Sequence, residues 1–238
     1  MFLLAHKINH YLGFHFKRNI KKHSIMSETC PLRQSYTVAH SVVDSVTMYS
    51  YEPIGYHLYR SVNGGETVEL WDIYDRDRIN TGKIMERGKI PDGIYHLVVH
   101  ICLFNSNNEM LIQQRQPFKE GWSNMWDITV GGSAIAGETS QIAAERELSE
   151  EIGHKIDFSS IRPHFSINFD VGFDDYYLIE ENIDIEKLNL QYDEVQRVKW
   201  ATKDEIFCLL NNGEFVPYYR SLIELIFETR YKYGALVV

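Results

Sequence analysis

Between Thr139 and Gly153 the chain carries a pattern that only one local structure satisfies well. Ala144, Leu148 and Ile152 recur at i, i+4 and i+8, which on a helix makes one buried stripe. Thr139 can cap the first amides, and Gly153 stands where a left-handed residue ends a helix. Glu147, Glu150 and Glu151 fall at i, i+3 and i+4 and share the other side. A helix from Thr139 to Ile152 therefore packs along one side and gathers three like charges on the other. Most helical glutamate pairs form only a solvated acidic face. Here Arg146 precedes the cluster and Glu138 adds an acid before the helix. The Gly131-Gly132 step lets backbone approach a ligand closely. Carboxylates that converge without a paired lysine make a hard-oxygen site suited to Mg²⁺ or Mn²⁺.

Around this helix the pattern is mainly extended. Val68 to Tyr74 reads as a strand, with a turn at Asn80-Thr81-Gly82. Tyr95 to Phe104 is a long β-rich run, and after the turn Asn105-Ser106-Asn107-Asn108 the segment Met110 to Arg115 pairs back as a hairpin. Trp126 to Val130 reads as one short strand, Phe165 to Glu180 as further strand, and Val195 to Trp200 as another. Lys203 to Leu210 and Tyr218 to about Tyr233 read as closing helices. Strands, helix, strands and helices predict an α/β (α+β) fold, a mixed sheet sandwiched between helices.

The chain has 238 residues, 44% hydrophobic and 13% aromatic, enough for a packed core. Its formal charge of −9 argues against a duplex nucleic acid as partner, and an acidic protein that handles phosphates must recruit cations locally. Cys30, Cys102 and Cys208 are scattered, as expected of reduced thiols in the cytoplasm. No stretch approaches the length of a membrane span. The first 25 residues hold five basic residues, four histidines and no acid. A transit peptide, a nucleic-acid arm, a membrane-surface helix, or a leader ahead of a start at Met26 or Met48 all remain open for them. Residues 27–66 read as irregular and end in the turn Asn63-Gly64-Gly65. The chain thus divides into an N-terminal extension, 1–66, and a domain, 67–238.

Written out, Gly132 and five residues, Glu138 and seven more, then Arg146-Glu147-Leu148-Ser149-Glu150-Glu151-Ile152-Gly153, resemble the signature of the Nudix hydrolases. Every fixed position is met. The one departure is His154, where the family carries a bulky aliphatic that packs rather than reacts. The resemblance implies a diphosphate hydrolase in which Glu147, Glu150 and Glu151 hold metal and one serves as base for the attacking water. It implies that Arg146 orients a glutamate, that Glu138 supports the loop and helix together with Gly132 and Gly153, and that the carbonyl of Gly131 is a further ligand. The reaction implied is attack of water on a diphosphate of a small molecule, such as a nucleoside diphosphate linked to another group.

Glu69 to Asp75 with Thr81-Gly82-Lys83, Tyr95 to His100, Met125-Trp126-Asp127, and Asp193-Glu194-Val195 before Trp200 resemble a branch related to isopentenyl-diphosphate isomerase. Such an isomerase is the nearest alternative, but its catalytic cysteine and a metal-binding histidine are replaced by Gly131 and Ser133. His96 matches another of its ligands; as members of one strand face, His96 and His100 are expected to be hydrogen-bonded core histidines. A Nudix-fold binding module without catalysis is a third reading, disfavoured because every box glutamate is present. Arg115 and Lys119 are candidates to face the phosphates, though ordinary surface cations would look the same. Phe118, Trp122, Trp126, Phe169, Phe173, Tyr176 and Tyr177 are candidates to stack on a base, with most of them expected in the core. Asp174 and Asp175 fit either a further ligand or base, or turn chemistry. A homodimer is compatible with all of this.

Overall fold

The computed structural model describes residues 41–43, 46–51, 55–62 and 66–236, with side chains from 68 to 236. The basic leader, Cys30 and the turn Asn63-Gly64-Gly65 lie outside the described residues. Strands β1 (Ser41–Val43), β2 (Val46–Tyr51), β3 (Gly55–Val62), β4 (Glu66–Tyr74) and β5 (Asn80–Glu86) form one antiparallel sheet in sequential order. The expected irregular segment thus contains three strands. Neighbour-to-neighbour backbone pairing supplies their order, and no periodicity of side chains announces it.

The second sheet is mixed. It runs β10 (Phe165–Phe169), β11 (Gly172–Glu180), β6 (His96–Phe104), β7 (Met110–Arg115) and β12 (Val195–Ala201). The short strands β8 (Trp126–Asp127) and β9 (Val130–Ser133) pair with β7 and β6. β11 runs parallel to β6, Gly172 opposite His96 through Glu180 opposite Phe104. Both faces of β6 are covered, so it reads as a continuous apolar run. Leu97, Val99, Ile101 and Leu103 pack with Ala143, Ala144, Leu148 and Ile152 of α1 (Ser140–Ile152). Cys102 and Phe104 face Ile206, Phe207, Ile223, Ile226 and Phe227 of α2 (Lys203–Asn212) and α3 (Arg220–Thr229). Full burial of a side chain such as Leu148 stabilises the fold by about 1.5–3 kcal/mol. The sheet is sandwiched between helices, as expected.

Three local expectations change. Asn80-Thr81-Gly82 opens strand β5, and the turn lies at Asp75 to Ile79, where the Asp75 carboxylate accepts the amides of Asp77 (3.0 Å) and Ile79 (2.9 Å). The hairpin of β6 and β7 pairs at Phe104 and Met110 and then splays. Buried Thr129 fills the gap: its hydroxyl accepts the Leu103 amide (2.9 Å) and donates to the Leu111 carbonyl (2.5 Å). The stretch from Trp126 onward is therefore two strands rather than one, because Thr129 turns into this gap. Cys102 is buried and Cys208 exposed, and both are free. Among the described residues no helix is long and apolar enough to cross a membrane.

Candidate active site

Helix α1 begins and ends where its sequence requires. Thr139 accepts the Ile142 amide at 3.3 Å, and Gly153, at φ 68°, donates its amide to the Ser149 carbonyl at 3.1 Å. β9 delivers Gly131 and Gly132 alongside. A Cβ on Gly132 would overlap the Glu147 carboxylate, so this backbone lies against the acid itself. A Cβ on Gly131 would stand 3.0 Å from Nδ1 of His100, on the opposite face.

Arg146 organises the cluster from a buried position. Its Nε and Nη2 donate to the two oxygens of buried Glu138 at 2.8 and 3.0 Å, and Nη2 also reaches the Ser133 carbonyl at 3.0 Å. Nη1 lies 2.9 Å from Glu147 and 3.0 Å from Glu150. Glu138 also accepts the Ile135 amide at 3.0 Å, closing the loop ahead of the helix. Burial alone would lower the Arg146 pKa; its hydrogen bonds to Glu138 and the charges around it raise it instead. Glu151 is buried and accepts from Nε2 of Gln113 at 2.7 Å, while Glu150 is half exposed. Burial raises the pKa of Glu147 against the pull of Arg146, and burial together with Glu147 raises that of Glu151. Among the described residues no three His, Cys, Asp or Glu side chains are gathered as a metal cluster. Arg146 draws in Glu147 and Glu150, and Gln113 holds Glu151. The donor set nevertheless suits a hard divalent cation: the Glu147 and Glu151 carboxylates are pushed toward the neutral form, and a cation would favour their charged forms.

Arg115 and Lys119 lie near this end of the helix, each already engaged. Arg115 sits 3.4 Å from buried Asp127, which also accepts from the Tyr218 hydroxyl at 2.9 Å. Lys119 pairs with Glu194; burial, then Arg115, lowers its pKa, and Glu151 and Glu147 oppose this. Of the aromatics, Trp126, Phe173, Tyr176 and Tyr177 are buried, whereas Phe118 and Trp122 are exposed. Asp174 and Asp175 lie inside β11 and not in a turn. Asp174 accepts from, or pairs with, Nε2 of His100 at 3.1 Å. His96 is buried in a stack on Trp71, ring centres 4.3 Å apart, and burial lowers its pKa to about 4. Its Nδ1 has no hydrogen-bond partner, so it is a stacked core histidine, contrary to the expected hydrogen-bonded one.

Sequence reasoning missed Gln113 and the contributions of β4. The Leu70 carbonyl accepts the Ala136 amide at 2.6 Å, and Asp72 accepts the Gly137 amide at 2.9 Å. Glu69, paired with Arg87 at 2.7 Å, adds to the field that raises the Glu147 pKa. A polar Gln113 at an inward position of an apolar strand was the available signal.

A sheet between helices, with a glutamate-bearing helix anchored by one arginine beside a diglycine strand, is the arrangement of a diphosphate-cleaving hydrolase. The model of the NUDIX domain matches residues 94–225. An uncharacterized Nudix hydrolase of Listeria monocytogenes is 48% identical over 153 residues, covering 64% of this chain and 90% of that one. The chain belongs to the Nudix family and is a diphosphate hydrolase. The crystal structure of a Deinococcus radiodurans protein superposes with a TM-score of 0.55 at 25% identity, over 66% of this chain and 97% of that one. Likeness to the isopentenyl-diphosphate isomerase of Haloarcula marismortui is 37% but spans 62 residues, 26% of this chain and 33% of that one. The isomerase resemblance is therefore confined to a short stretch.

Proposed function

We propose that the chain hydrolyses a nucleoside diphosphate linked to another group, using Mg²⁺, with Mn²⁺ as a substitute. The observation that carries this reading is the pair of carboxylates on one side of α1, buried Glu151 and mostly covered Glu147, with Arg146 2.9 Å from the latter. Glu147, Glu150, Glu151 and the carbonyl of Gly131 would hold the metal. When bound, it neutralises phosphate oxygens and lowers the pKa of water. Water then attacks one phosphorus, the bridging P–O bond breaks, and the proton of the attacking water passes to one of the three glutamates. Arg115 and Lys119 take the phosphates. Exposed Phe118 and Trp122, with Tyr192 5.8 Å from Phe118, offer planar surface to the base.

Residues 67–238 act as the catalytic domain and 1–66 as an extension. The working partner is a small molecule, and a homodimer is compatible with the chemistry. An isomerase reading is disfavoured by Gly131, which stands in place of the isomerase's catalytic cysteine and where a side chain would press on His100. The test is a screen of diphosphate compounds with Mg²⁺, products identified by mass. Cleavage into two phosphorylated products is expected. Binding without turnover under any metal would leave a binding module, and conversion of isopentenyl to dimethylallyl diphosphate would restore the isomerase.

A further inference from the structure

Asp175 is a fully buried carboxylate. Such a group must be paired and hydrogen-bonded to be tolerated. One oxygen accepts from Arg78 and from the Ser140 hydroxyl at 2.6 Å; the other accepts from the Ser166 hydroxyl at 2.5 Å. Ser166, directly across from Asp175 in the β10–β11 pair, itself accepts from Nη1 of Arg78 at 2.9 Å. The Tyr177 hydroxyl lies 2.7 Å from that of Ser140. Every group in this ring has a partner, and the ring joins three distant segments.

Two of them matter for the site. Ser140 is the first residue of α1, two turns before Arg146 and Glu147. Arg78 belongs to the turn between β4 and β5, ahead of the residues the family model matches. It is a non-glycine residue at φ 62°, a conformation that costs energy and aims its side chain across the Phe173 ring, 5.6 Å from the centroid, toward Asp175. The same hairpin also holds the loop before α1, through Leu70 to Ala136 and Asp72 to Gly137. The start of the glutamate helix is thus held between two attachments to one hairpin.

We propose that Arg78 is a positioning residue which, acting through Asp175 on Ser140, fixes the first turn of α1 and so the seat of Arg146 and Glu147 against β9. This rests on the reading of α1 as the catalytic helix. It makes the β4–β5 hairpin a working part of the hydrolase.

Arg78→Ala, Arg78→Lys and Ser140→Ala are compared with the intact chain by amide hydrogen exchange without metal and by steady-state kinetics. Arg78→Ala is expected to speed exchange of the amides at 140–144 about ten-fold and to lower kcat about ten-fold, with KM within about two-fold, because small misplacement of a catalytic group is costly. Arg78→Lys should recover much of both. Arg78→Ala with Ser140→Ala should be no worse than the poorer single variant, as expected for residues in one linkage. A fall in melting temperature alone, with local exchange and kcat within two-fold of the intact chain, would overturn the proposal, as would a change confined to KM. A wild-type chain that turned over no diphosphate would sink the functional reading, while the exchange comparison would still decide the linkage between Arg78 and α1.

Discussion

Gln113 holds Glu151: its side-chain amide donates to the carboxylate at 2.7 Å from the strand across the core, with both residues buried. The contact fixes a charge-bearing group where water would otherwise be needed. Glu151→Gln would keep the shape and remove the charge. It is expected to lower kcat by two orders of magnitude or more, roughly the several kcal/mol that metal-assisted charge stabilisation supplies. The melting temperature of the metal-free protein should hold or rise, because the substitution removes the cost of burying a carboxylate at 151. Glu150→Gln should cost activity similarly. Near-normal rates in either variant, measured at saturating Mg²⁺, would mean that the metal is held elsewhere.

The pH dependence of metal-free stability follows from the same burial. Glu147 and Glu151 are harder to ionise in the fold than in the unfolded chain. Each stabilises the fold fully below the ordinary carboxylate range, and that stabilisation is lost as pH rises through the higher folded value. Thermal melts without metal should fall as pH rises from about 4.5 through neutrality. The rise in melting temperature caused by Mg²⁺ should grow over the same interval, since binding favours the ionised acids. A Mg²⁺ effect that shrank with rising pH would contradict this.

His96 works in the opposite direction. Its folded pKa is about 4, well below the ordinary 6.5, because burial against Trp71 disfavours the imidazolium. The stability it lends is present above 6.5 and is lost as pH falls toward 4, up to about 3 kcal/mol. His96→Phe should flatten that limb of the acid melting curve; an unchanged limb would assign the loss to other groups.

Gly132→Ala tests the backbone under Glu147. A Cβ would occupy the space of the carboxylate, and the flexible acid must swing away. The expected result is a loss of activity of about ten-fold or more, in line with misplacement of a reacting group, with only a small change in melting temperature. A fully active Gly132→Ala enzyme would show that Glu147 need not lie there.

Phe118 and Trp122 are exposed large aromatics, and Trp122 holds φ 50° without being glycine. Trp122→Ala and Phe118→Ala should each raise KM for a nucleoside diphosphate substrate about five- to 100-fold, the range of one lost base stack. kcat should change little. Equal losses on a diphosphate without a base would rule out stacking as the cause.

Much of the site was legible because its chemistry is local. Thr139, the Ala144–Leu148–Ile152 stripe, the glutamates and Gly153 lie within four turns of one helix, where periodicity alone places side chains. Gln113, Asp72 and Arg78 were not legible, since each reaches the site from another element and its role depends on pairing across the chain. The same reason separates the strand expectations. Met110–Arg115 and the β6 run were readable from their own residues. The break after Asp127 was not, because it exists only to let Thr129 fill the gap between β6 and β7. Asp175 fitted either a ligand or base or turn chemistry in the sequence, because its partners come from α1, β10 and the β4–β5 turn together.

Gly131 and Gly132 are successive residues of one strand, so they open to opposite sides. One bares backbone to His100 and the other to Glu147. Here the sheet is a single unclothed peptide thick, a window between the glutamate side and the histidine side. A methyl group added at one pane would burden only the room it faces, so Gly131→Ala and Gly132→Ala should report separately on the two compartments that meet at this wall.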